Sequence, residues 1–138
     1  MSLQMSGTVR DARLDAIETA IGAAPILRIY DLSGSAPANC AAAITATLLA
    51  EMTLPSDWLA AASGGTKAKA GTWEDASANG TGTADFWRIY DSGGTTCHLQ
   101  GTVTATGAGG DMTLANTSLT TGQGPITITG FTLTEGNA

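Results

Sequence analysis

The sequence predicts a mainly β fold: a single β-sandwich or jelly-roll-like domain of about seven or eight strands behind one short N-terminal helix. Three observations carry this. From Cys97 the odd positions Cys97, Leu99, Val103 and Ala105 are apolar, while His98, Gln100, Thr102, Thr104 and Thr106 are polar. That two-residue period is what a half-buried strand requires, because successive side chains point to opposite faces of a sheet. The chain is also rich in turn and strand formers, with 18 Gly and 22 Thr in 138 residues, and its apolar runs are short and punctuated by Gly, Ser, Asn and Asp. Finally, helical spacing is confined to one stretch near the start.

That stretch is Thr8 to Ile21, where Leu14, Ile17 and Ile21 recur at three- and four-residue intervals. Arg10, Asp11, Arg13, Asp15 and Glu18 are expected mainly on other faces. Thr8 is the expected cap, with Asp11 reaching back to it; Gly22 ends the helix and Pro25 forbids its continuation. About four turns are marginal alone, so the apolar stripe needs cover. Two readings stay open: a helix packed on its own domain, or an arm against another subunit. The chain therefore divides into a helical arm, residues 1–22, and a sandwich domain, residues 23–138. Met5, Val9, Leu14, Ile17 and Ile21 are the candidate interface residues.

After Pro25 the pattern is strands. PILRIYDL is the first. In ITATLLAEMTL the residues Ile44, Ala46, Leu48, Ala50, Met52 and Leu54 share one parity, and Pro55 ends the run. SDWLAAASGG reads as a short helical turn capped by Ser56 and anchored by Trp58. TKAKAGTW, ADFWRIYD, TCHLQGTVTAT, DMTLA and ITITGFTLT follow as strands, with GAGGD as a hairpin loop. In the last strand Ile126 and Ile128 differ in parity from Phe131 and Leu133, so Gly130 marks a bulge or corner. The expected core contains Ile44, Leu48, Met52, Leu54, Leu99, Val103 and Ile128. Arg28-Ile29-Tyr30-Asp31 recurs as Arg88-Ile89-Tyr90-Asp91, each followed by a Ser/Gly turn and a Cys. Either these are equivalent neighbouring strands or the match is chance.

Composition narrows the function classes. Only 13% of residues are charged, 43% are hydrophobic, and the net charge is −6, with no Lys or Arg after Arg88. Such a chain should fold. Neither nucleic acid nor an anionic membrane is an expected partner, because both need clustered basic residues. No apolar run approaches the roughly 20 residues of a membrane span. The start, MSLQMSGTVRDARLD, lacks a basic region followed by an apolar core, so synthesis in a cytoplasm is expected. Cys40 and Cys97 are then read as buried free thiols, with a disulfide the alternative if their Cα atoms lie close.

Motifs for chemistry are sparse. His98 is the single histidine and sits on the Thr-rich face, with no nucleophile elbow in the sequence. Two Cys and one His at wide spacing do not suggest a zinc site. Asp31 and Asp91 each open a turn, where Asp serves as a capping acceptor, although they could pair as acid and base. GAGGDMTL is loosely similar to a calcium-binding nonapeptide, but there is one copy. No phosphate-binding loop is present. Trp58, Trp73, Phe86, Trp87, Tyr30 and Tyr90 are core or interface anchors, or else a sugar-stacking platform. The expectation is a non-enzyme with no catalytic, cofactor or metal residues.

TVRDARLDAIE, APANCAAA, LPSDWLAAASGG and RIYDSGGTTCHLQGTVTATGAGGDMTL, taken together and in this order, resemble a family of small proteins from the structural gene blocks of tailed bacteriophages and prophages. The resemblance covers almost the whole chain. It implies a virion structural protein made in the host bacterial cytoplasm, and no catalytic residues come with it. Within the virion the reading is a capsid cement or decoration protein stabilising the head. The alternatives are a tail, collar or baseplate component, or a receptor- or glycan-binding module. The implied partners are other virion proteins, such as a major capsid or tail protein, and further copies of the chain.

Overall fold

The computed structural model describes residues 1–136. It is mainly β, with one helix and a sandwich-like sheet. The helix, α1 (Gly7–Ile21), starts at Ser6, whose hydroxyl accepts a hydrogen bond from the Val9 N–H. Thr8, the expected cap, already lies inside the helix; Ser6 wins because it is the residue held extended. Gly22 closes the helix, its N–H donating to the Glu18 carbonyl.

The strands are β1 (Ile26–Asp31), β2 (Thr47–Thr53), β3 (Thr66–Ala68), β4 (Glu74–Asp75), β5 (Gly82–Thr83), β6 (Phe86–Tyr90), β7 (Cys97–Ala105), β8 (Met112–Leu114), β9 (Ser118–Leu119) and β10 (Ile126–Thr134). The main sheet runs β2-β1-β6-β7-β8-β10-β3, with β4 also on β10 and β5-β9 as a separate ribbon. The sheet folds over on itself. Phe131 of β10 meets Trp87 of β6 edge-on at 5.3 Å, although two strands separate them in the sheet. Trp73 and Trp58 extend this aromatic column at 5.3 and 5.9 Å.

The two copies of Arg-Ile-Tyr-Asp are neighbours. β1 and β6 pair antiparallel with Arg28 directly opposite Arg88. Each copy pairs outward with its own following strand, and both pairings shift register between the Ile and the Tyr. The bulged residues are Leu49 on β2 and His98 on β7. Arg28 then faces Glu51, as Arg88 faces Gln100. The four strands β2-β1-β6-β7 are thus one hairpin plan used twice, related by a pseudo-twofold axis between the arginines.

That bulge corrects the expected core. Ala50, Met52 and Leu54 point inward, but the extra residue turns Leu49 into the core, 0% exposed, and leaves Leu48 half-buried opposite Tyr30. Ile44 lies outside any strand and is also only half-buried. Val103 and Ile128 are buried, and Leu99 packs at the core margin. On β10 the register shifts between Ile128 and Gly130, where the sequence predicts it, so Phe131 returns inward.

Two connections differ from expectation. Residues 56–63 form no helical turn: Trp58 to Ala60 run extended beside Ala68 to Ala70, with Ala60 N–H on Ala68 O and Ala70 N–H on Trp58 O. Gly64 and Gly65, both at positive φ, make the two-residue reversal that this hairpin needs. GAGGD is not a hairpin loop either, because β7 and β8 run parallel. Gly107 and Gly109, at φ +85 and +84, let the chain double back tightly. Thr104 Oγ1 accepts the Gly110 N–H and Asp111 Oδ2 accepts the Thr102 N–H, which pins the return.

Both ends of the main sheet are covered. Beyond β2, Asp75 Oδ2 accepts the Glu51 N–H and the Asn79 N–H donates to Leu49 O. Beyond β3 lies the extended 58–60 segment just described.

Candidate functional site

Of the five candidate interface residues, Leu14 and Ile21 are buried in the chain's own body, 2% and 7% exposed, and Ile17 packs at the core margin. These three are therefore not available to a neighbour. The charged residues share their face, contrary to expectation. Asp11 accepts the Gly65 N–H at 2.7 Å, Asp15 accepts the Ala62 N–H, and Arg10 donates to the Glu135 carbonyl. The reason is Lys67 on β3, itself 2% exposed, whose ammonium takes Asp15 at 2.7 Å and Glu18 at 2.9 Å. A buried ammonium needs paired charge, so the docking face must carry acids. Burial alone pushes the Lys67 ammonium down, but the hydrogen bonds to Asp15 and Glu18 outweigh it and hold its pKa above the usual value. Asp15 is held below its usual value, first by its Lys67 hydrogen bond.

A cleft of about 500 Å³ opens beside this pair, lined by Asp15, Glu18, Asp57, Leu59 and Lys67 among others. Its cation is already taken by two carboxylates. What remains outward of the arm is its first part: Met1, Leu3 and Val9 are 115%, 76% and 47% exposed, and Met5 is half-buried against Arg13.

A second cluster lies on the sheet face away from the core. β6 is buried on both sides. Trp87 and Ile89 enter the core, whereas Phe86, Arg88 and Tyr90 face outward. The connection from 32 to 46 passes over Arg88. One guanidinium nitrogen of Arg88 donates to the carbonyls of Asn39 at 3.1 Å and Ala42 at 2.9 Å, and also to Gln100 Oε1. Gln100 in turn donates to the Pro37 carbonyl. The Tyr30 and Tyr90 hydroxyls meet at 3.2 Å, and the Arg28 guanidinium lies 4.6 Å over the Tyr90 ring. Burial, then the Tyr90 hydroxyl, raises the Tyr30 phenol well above its ordinary pKa. Cys40 and Cys97, both half-buried free thiols, belong to the same cluster: Cys97 lies opposite Tyr90, and Cys40 lies in the turn bound by Arg88. Burial, then the Cys40 thiol, pushes the Cys97 thiol up to about 12. A protonated phenol, a protonated thiol and hydrogen-bonded guanidiniums make a clamp; none of them is poised to exchange a proton with substrate at neutral pH.

The other candidates resolve simply. Asp31 takes the Ser33 hydroxyl and the Ser33 and Thr83 N–H groups; Asp91 takes the Thr95 and Thr96 N–H groups. Both carboxyls are held below the usual range, Asp31 chiefly by the Ser33 hydroxyl and Asp91 by the Thr95 N–H. Both are therefore turn formers. His98 is exposed on its bulge. Tyr30, Trp58, Trp73, Phe86, Trp87 and Tyr90 are all at most 6% exposed, so the sugar-stacking platform does not exist on the surface. Among the described residues no group of three or more His, Cys, Asp or Glu is placed to hold a metal ion, and no helix is long and apolar enough to cross a membrane.

No protein-family model, curated protein or solved structure matches this chain.

Proposed function

We propose that the chain is a non-enzymatic structural protein of a bacteriophage virion, acting as a capsid cement or decoration protein. One observation carries the assembly reading: exposed apolar residues, Met1 and Leu3 ahead of the helix and Val9 in its first turn, adjoin a helix that is itself fixed to the body by Lys67 and Glu135. Apolar surface beside a firmly held helix favours docking. A specific contact needs about 1,000 Å² of buried surface, so neighbouring sheet surface would have to join the segment. The phage setting is supported by the sequence resemblance, and partners there are capsid or tail proteins and further copies.

The test is to add intact protein, or protein lacking residues 1–5, to particles devoid of it and to sediment the particles. Intact protein should co-sediment, and the truncated form should stay folded yet remain in solution. Equal binding of both would sink the role of this segment. Copies per particle separate the head and tail readings: cement implies a number on the order of hundreds, and a collar or baseplate far fewer. A glycan-binding reading has lost its aromatic platform.

A further inference from the structure

We propose that Cys40 and Cys97 are a built oxidation site, closing to an intramolecular disulfide when the protein meets a small-molecule disulfide and so locking the 32–46 connection onto β7. Cys97 lies opposite Tyr90 as Gln100 lies opposite Arg88, which puts its side chain on the sheet face that the connection covers. Cys40 sits between Asn39 and Ala42, whose carbonyls both bind the same Arg88 nitrogen, and Pro37 is held by Gln100. Asn39 Oδ1 further accepts the N–H groups of Ala41 and Ala42, fixing the local turn. Arg88 and Gln100 thus hold the turn that carries Cys40 over the sheet face that carries Cys97. Both are half-buried, so each is partly open to a small reagent.

The chemistry balances with a glutathione-type disulfide as oxidant. The Cys40 thiolate attacks one sulfur, forms a mixed disulfide and releases the first small thiolate. Cys97 then loses its proton to solvent, its thiolate attacks the Cys40 sulfur, and the second small thiolate leaves. Two protein S–H bonds become one S–S bond, and the oxidant is reduced to two thiols. Cys40 goes first because burial and the Cys40 thiol itself hold Cys97 protonated. Capping Cys40 removes that second effect, and the nearby Arg88 charge favours the Cys97 thiolate.

The experiment treats the folded chain with oxidised glutathione at mildly alkaline pH and reads intact mass, a peptide map and a non-reducing gel. The expected product is a monomer two hydrogens lighter, with a cross-linked peptide joining Cys40 to Cys97. The Cys97→Ser variant should instead accumulate one glutathione on Cys40, and Cys40→Ser should react more slowly than either. A stable glutathione adduct on the unaltered chain would overturn the proposal. So would a disulfide-linked dimer, or no oxidation where the urea-unfolded chain oxidises readily.

Discussion

At the residue scale, one inserted residue decides which leucine holds the core. Leu49 is fully buried because the bulge opposite Ile29 and Tyr30 resets the inward parity of β2. Leu49→Ala should therefore cost about 2–5 kcal/mol in urea unfolding, and Leu48→Ala less than half as much. Equal losses would mean that the bulge is misplaced. The alternation of that strand was plain in the sequence, but a bulge leaves no local signature when both residues are leucine. The Gly130 bulge was legible because parity changes there beside a glycine. Ser6 and Thr8 are both good caps two residues apart, and only the extended backbone at Ser6 separates them. Composition left the seven aromatics open between core and a surface platform; their burial is decided by the strand register and by the Trp58–Trp73–Phe131–Trp87 column.

At the scale of elements, α1 docks through a mixed face, and its charges lock it as much as its apolar stripe does. Removing the acids strands a buried ammonium, whereas removing the ammonium leaves acids that water can reach. Lys67→Met should hence stay within about 1.5 kcal/mol of the parent, and the double variant Asp15→Ala, Glu18→Ala should lose far more. The pH dependence follows from the shifts. Asp15 lies below its usual 3.8 when folded, so its contribution is complete above that value and is lost as pH falls through the lower folded value. Lys67 lies above its usual 10.5 when folded, so its contribution is complete below that value and is lost as pH rises through the higher folded one. Helix docking, followed by hydrogen exchange of residues 10–21, should hold steady across that interval and weaken outside it. The strands themselves were readable from local alternation and turn residues. The 58–70 hairpin was not, since an Ala-rich stretch favours helix until the Gly64–Gly65 reversal brings Ala68 alongside. Nor was the parallel β7–β8 pair, because so short a connection normally joins antiparallel strands.

At the scale of the whole molecule, the repeated hairpin explains why β6 can be buried on both faces. One face meets the sandwich core, and the other is roofed by the connection that the first copy carries and the second lacks. The repeat was visible as four identical residues; the roof was not, since its contacts run from Arg88 and Gln100 to backbone carbonyls that any sequence supplies. The disulfide proposed above would close a long loop through that roof. By chain-entropy reasoning it adds about 4 kcal/mol against unfolding, read as a higher melting temperature than that of the Cys40→Ser protein.

The covered ends of the sheet bear on how the protein behaves when crowded. A bare strand edge is a template on which further chains add, and close packing of many copies would raise that hazard sharply. Here the outer rim of β2 is occupied by Asp75 and Asn79, and that of β3 by the 58–60 segment. Concentrated solutions should therefore stay clear and fail to bind thioflavin over days. Asp75→Ala, which frees the Glu51 N–H, should shorten the lag before fibrils form. An unchanged lag would mean that the rim is guarded by Asn79 alone. With those rims filled, close packing of many copies leaves neither end of the main sheet open for a further strand to join.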